Sequence, residues 1–123
     1  MSQLTCLFAY KVAAVIEPAL DRRALLATLD LDPDATVDPT RMVPAGDYFR
    51  FLETIVRMEQ CGHTLPLRVG VTMRCDEYGL LGLAWKSAPD LRASFQRAQR
   101  YSRVLNGTTR YEVETTDAGA YLC

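Results

Sequence analysis

The sequence predicts an α+β domain in which a helix-rich N-terminal part is followed by a long amphipathic helix and a C-terminal β-hairpin belonging to a small sheet. Three observations carry that expectation. Apolar residues recur at intervals of three and four over 47–58 and again from Leu91 to Leu105, the period of helices with one buried face. Near the C-terminal end Tyr111 and Val113 alternate with Arg110, Glu112 and Glu114, the period of a half-buried strand. The composition, 49% hydrophobic and 24% charged over 123 residues, is globular, with chain enough for one domain and its core and no room for a second.

The elements follow in order. Leu4 to Ile16 is an apolar run interrupted by Lys11. It is shorter than the roughly 20 residues of a membrane span and lacks the basic flank and small-residue cleavage site of a signal peptide, so it reads as a buried helix. Asp21 can cap a helix through Ala24, Leu25 and Leu29, which "LDPD" at 31–34 closes with a proline. "DATVDPTRMVP" is then a loop. Pro44 suits a first helical turn, and from Asp47 the residues Tyr48, Phe51, Leu52, Ile55 and Met58 form the apolar stripe of a helix ending near Cys61–Gly62. In "LPLRVGVTM" the apolar residues Leu65, Leu67, Val69, Val71 and Met73 alternate with Pro66, Arg68, Gly70 and Thr72, and by period alone this is a strand.

The stretch "YGLLGLAWKSAPDLRASFQRAQRY" at 78–101 holds the only tryptophan, two glycines and a helix start. Ser87 can accept from the first free amides, Pro89 fits the first turn, and Asp90 favours the positive helix end. The helix is expected from Ala88 to about Leu105. Leu91, Phe95, Ala98, Tyr101 and Leu105 share one face with the small Ser94 and Ser102, while Arg92, Gln96, Gln99 and Arg103 lie opposite, and Asn106–Gly107 supplies the stop. The closing hairpin turns through Asp117-Ala118-Gly119.

Several function classes are disfavoured. Net charge is -1 with a pI near 5.8, so the chain as a whole has no electrostatic footprint for nucleic acid or anionic membrane, and the arginines of the 88–105 helix read as a solvated face. Gly79 and Gly82 are too few and wrongly spaced for a phosphate-cradling loop and suit close backbone approach. Cys6, Cys61, Cys75 and Cys123 are scattered and read as free thiols in a reducing cytoplasm. The only histidine, His63, sits near Cys61, where a structural zinc site would need four ligands. No nucleophile–base arrangement and no GxSxG elbow is present, so no catalytic residue is assigned and no cofactor or metal is expected.

The blocks "VPAGDYFRFLE", "LPLRVG" and "YGLLGLAWKSAPDLRASFQRAQRYSRVL", followed by a Tyr-Glu-Val strand, resemble in order and spacing the N-terminal, arabinose-binding-like effector domain of AraC-type transcription regulators over residues 12–123. The resemblance implies a regulatory domain that senses a small molecule or mediates dimerisation, ahead of a helix-turn-helix domain. It also makes 65–73 helical. The DNA-binding half is absent from this sequence, which is expected to be a single N-terminal domain, either a fragment of a longer regulator or a naturally shortened relative. Tyr78, Trp85 and Tyr101 are the candidate ligand contacts, with core packing the competing role for Trp85 and Tyr101; Gly79, Gly82, Ser87, Pro89 and Phe95 are the structural positions. Expected partners are a small-molecule effector and a second copy of the chain, with DNA reached only through the absent domain and no membrane. The alternative is a protein-interaction module, dimerising or inhibitory, with no effector.

Overall fold

The computed structural model describes residues 2–74, 77, 83, 84, 86–104, 106–108, 110, 112–116 and 118–122. Within them the chain is an α+β, helix-rich fold with two small antiparallel sheets, each of two strands. Tyr78, Gly79, Gly82, Trp85, Leu105 and Tyr111 lie outside the described residues.

The N-terminal segment opens with a short strand, β1 (Gln3–Thr5), and α1 (Cys6–Val15) follows it directly. Thr5 makes that junction possible. Its hydroxyl accepts from the Leu7 amide at 3.3 Å, capping the helix, and donates to the Pro39 carbonyl at 2.6 Å, so a fully buried polar group is satisfied twice. Cys6, Leu7, Ala9, Tyr10, Val12 and Ala13 of α1 are all buried, and such a helix must be enclosed. The enclosing elements are α2 (Arg22–Ala27) and α4 (Leu65–Gly70).

Asp21 caps α2 as the sequence predicts, accepting from the Ala24 amide at 3.1 Å. The end of α2 is more specific than a proline stop. Asp30 takes a left-handed conformation, φ 57°, while the amides of Asp30 and Leu31 reach back to the carbonyls of Ala27 and Leu26, which is the Schellman arrangement. Aspartate tolerates that φ better than most residues because its short side chain can bond locally.

The predicted loop at 34–44 contains a second strand, β2 (Met42–Pro44), which sets Val43 opposite Leu4 of β1. Pro44 therefore ends a strand instead of sitting inside a helix, and α3 (Ala45–Met58) starts after it with no side-chain cap. The Ala45 amide donates to the Ser2 carbonyl at 3.0 Å instead. Phe51 and Ile55 are buried and Tyr48 and Leu52 half-buried, on the face the period predicts, whereas Met58, the last residue of the predicted stripe, is exposed at the helix end. Burial alone pushes the Tyr48 hydroxyl up to about 12.

A 3₁₀ turn (Gly62–Thr64) then folds the chain back on α3. A Cβ at Gly62 would stand 2.9 Å from the Val56 Cα, so only glycine fits that approach. The strand read from the alternation at 65–73 is not formed. Leu65–Gly70 is the short helix α4 with Pro66 in its first turn, as the resemblance implies. The alternation does not track burial there: Leu65 is buried, while Leu67 and Val71 are 75% and 84% exposed.

A partly buried ionic clasp ties these helices together. Arg68 donates to both carboxylate oxygens of Glu59, at 2.6 and 3.1 Å, and to the Val15 carbonyl. Glu59 also accepts from the Glu17 amide at 2.7 Å, and Glu17 in turn accepts from the amides of Gln60 and Cys61. The ends of α1, α3 and α4 thus share one network. The Arg68 guanidinium holds the Glu59 carboxyl below its ordinary value, against the opposing effect of burial.

The C-terminal unit comprises α5 (Leu91–Tyr101), a 3₁₀ turn (Ser102–Val104), and the hairpin of β3 (Val113–Thr116) with β4 (Gly119–Leu122) in the register Thr116 opposite Gly119. Its helix start differs from the expectation. Asp90, not Ser87, is the cap, accepting from the Ala93 amide at 2.8 Å, and Pro89 precedes the helix. A carboxylate accepts more strongly than a hydroxyl and also complements the helix dipole. Ser87 donates to the Ala84 carbonyl and accepts from Arg97. Along the predicted inner face Ala98 is buried and Phe95 half-buried, but Leu91 is 67% exposed. The unit joins the rest through β1: Leu4 bridges Asn106, and the Gly107 amide donates to the Gln3 carbonyl at 2.9 Å.

Candidate functional site

A groove of about 610 Å³ opens between α1 and the loop at 33–39. Leu7, Tyr10, Lys11 and Ala14 form one wall, Pro33, Ala35, Val37 and Pro39 the other, and Arg22 and Glu77 complete the lining. The volume lies within the range of sites for small organic ligands.

The loop wall is fixed from both sides. From β1 and α1, Thr5 Oγ1 bonds the Pro39 carbonyl at 2.6 Å, Cys6 Sγ the Asp38 carbonyl at 3.2 Å, and the Tyr10 hydroxyl the Asp32 carbonyl at 2.7 Å. Within the loop, Asp32 Oδ1 accepts from the Asp34 amide, and Asp38 Oδ1 accepts from the Thr40 hydroxyl and amide. Those Thr40 hydrogen bonds hold the Asp38 carboxyl below its ordinary value. Burial pushes the Cys6 thiol and the Tyr10 hydroxyl up, so both stay protonated as donors at neutral pH. A loop anchored at three carbonyls by three side chains gives the groove a preformed wall.

The charged groups are placed differently. Lys11, with its side chain 15% exposed, donates to the Thr72 carbonyl at 3.0 Å and pairs with the Glu77 carboxylate. That pair links α1 to the chain beyond α4. Arg22 stands exposed at the first position of α2, whereas its neighbour Arg23 is paired with Asp34 at 2.7 Å.

A wider hollow of about 780 Å³ lies between α5 and β3, lined by Pro89, Ala93, Gln96, Arg97, Gln99, Arg100 and Val113. Two of its polar groups are already engaged: Gln99 Oε1 accepts from the Val113 amide at 2.8 Å, and Arg97 donates to Ser87 and Ala84. With six apolar side chains in its lining and an anchored wall, the α1 groove is the better-formed site.

Of the aromatic residues proposed from the sequence as ligand contacts, Tyr78 and Trp85 lie outside the described residues. Tyr101 ends α5, is 40% exposed, carries the Arg100 guanidinium 5.9 Å from its ring centre, and lines neither cavity. Sequence reasoning passed over Tyr10, Lys11, Arg22 and Glu77. The available signal was Lys11, a lone charge inside an otherwise apolar helix, which must find a partner wherever that helix is buried.

Among the described residues, no group of three or more His, Cys, Asp or Glu side chains could hold a metal, and no helix is long and apolar enough to cross a membrane. The chain is a regulatory, ligand-sensing domain by class. Residues 20–123 match the family model of the arabinose-binding domain of AraC transcription regulators, N-terminal, and the chain belongs to that family. No curated protein and no solved structure matches it.

Proposed function

We propose that this chain senses a small-molecule effector in the α1 groove and thereby controls transcription activation by a helix-turn-helix domain outside this sequence. The observation that carries the reading is the coincidence of family membership with an anchored groove of about 610 Å³ that sets apolar side chains beside Lys11, Arg22 and Glu77. The whole chain is then one N-terminal regulatory domain acting in the cytoplasm as a homodimer, with DNA contacted only by the missing half. Catalysis plays no part in this function.

Filling the groove tests the assignment. Val37 is 36% exposed on the loop wall, so Val37→Trp adds bulk to the groove without entering the core. A ligand found by thermal-shift screening of the chain should lose its stabilising effect in Val37→Trp while the unliganded melting temperature stays close to wild type. Retained binding places the effector elsewhere.

A second reading, an interaction module without effector, is favoured by Leu67 and Val71, four residues apart and 75% and 84% exposed on one side of the α4 turn. Under that reading Leu67→Lys abolishes self-association in sedimentation experiments, and no small molecule shifts the melt.

A further inference from the structure

We infer that the α1 groove is built for an organic monoanion with an apolar body, a carboxylate on a hydrocarbon or aromatic frame, and not for a sugar. The inference rests on the groove being the effector site. A sugar presents a hydroxyl on nearly every carbon, and each one taken from water needs a free donor or acceptor in the wall. The groove does not offer that set. Among the described residues, the lining contains no Asn, Gln, Ser or Thr side chain. The one hydroxyl among the described lining residues, on Tyr10, already donates to the Asp32 carbonyl at 2.7 Å, and the nearby carbonyls of Asp38 and Pro39 already accept from Cys6 and Thr5. Leu7, Ala14, Pro33, Ala35, Val37 and Pro39 leave an apolar surface for a ligand body.

Charge supplies the other half. Lys11 and Glu77 neutralise each other, which leaves Arg22 as the excess charge among the described lining residues. The acids close to Arg22 in sequence are engaged: Asp21 caps α2 through Ala24, Asp34 is paired with Arg23, and Asp32 Oδ1 accepts from the Asp34 amide. Among the described residues Arg22 therefore faces the groove with no partner of its own. A guanidinium is a planar fork that matches a carboxylate in two parallel hydrogen bonds, and one unpaired cation selects a single negative charge.

Titration calorimetry on the chain, with hexanoate, phenylacetate and L-arabinose as probes, tests this. At least one carboxylate should bind saturably, L-arabinose should give no saturable heat, and Arg22→Gln should weaken the carboxylate about tenfold or more. Arg22 is exposed, so circular dichroism melts of Arg22→Gln should superimpose on wild type and exclude a folding artefact. Arabinose binding that disappears in Val37→Trp overturns the ligand class while leaving the groove as effector site. Carboxylate binding that ignores Val37→Trp but falls in Arg97→Gln overturns the groove itself, and no saturable binding of either carboxylate overturns the inference.

Discussion

Helices α3 and α5 carry similar apolar stripes in the sequence, yet the two regions they belong to are held together differently. Among the described residues, the buried apolar side chains run from Leu4 to Leu65, and α5 adds only Ala98. The N-terminal body closes round α1 with a continuous core and the Glu59–Arg68 clasp. The C-terminal unit rests on helix–hairpin contacts, such as Gln99 to the Val113 amide, and on the backbone seam at Gln3–Gly107. The period of a stripe says which face turns inward, whereas the depth of burial depends on what the rest of the chain brings to cover it.

The contrast is broken most directly by removing one apolar side chain from each region. Ile55 is fully buried, so Ile55→Ala should cost about 4 kcal/mol through lost transfer energy and a residual cavity. Phe95 is half-buried and should cost about 2 kcal/mol on replacement by Ala. Urea denaturation of both variants measures this; equal losses would mean that α5 belongs to the same core as α3.

The clasp gives the next largest effect. Glu59→Ala leaves the Arg68 charge unpaired and the Glu17 amide without its acceptor, at about 3 kcal/mol. Because the folded Glu59 carboxyl lies below its unfolded value, its contribution is complete above the unfolded value of about 4.3 and is lost as pH falls through the folded one. Melts at successive pH values from 7 downward should therefore show the gap between wild type and Glu59→Gln closing only under acid conditions. A gap independent of pH would show that the ionised clasp does not stabilise the N-terminal body.

The smallest effect separates two candidate caps. Asp90→Ala should destabilise the C-terminal unit by about 1 kcal/mol. Ser87→Ala removes an exposed hydroxyl outside the helix start and should stay within about 0.5 kcal/mol. The reverse order in chemical denaturation would restore Ser87 as the cap.

Much of the architecture was legible because long periodic segments encode one answer repeatedly. The apolar run of α1, the Asp21 cap, the stripe of α3 and the alternation leading into the β3–β4 hairpin each specify a local structure on their own. Strands β1 and β2 were not legible, since three residues hold too little of a two-residue period to stand out from a loop. Alternation at 65–73 misled because Pro66 and a one-turn helix put Leu67 and Val71 in solvent, so their apolarity does not report a core. The candidate groove was hidden for a further reason. Its wall is made by side chains of β1 and α1 bonding to main-chain carbonyls at Asp32, Asp38 and Pro39, and a backbone acceptor leaves no trace in residue identity.

Strand β1 has hydrogen-bonded neighbours on both sides, β2 on one and Asn106–Gly107 on the other. The second neighbour is separated from it by roughly a hundred residues of chain, and loop closure over that distance is entropically costly. During synthesis, at roughly 5–20 residues per second, Gln3 and Leu4 wait on the order of 5–20 seconds with one edge unpaired before their distant partners are made. The seam at Gly107 can therefore close only late on the ribosome, after the helices around α1 have had time to assemble. A Cβ at Gly107 would lie 3.3 Å from the Gln3 carbonyl, so alanine there would crowd this late-closing joint while leaving the earlier-made elements their own sequence to fold with.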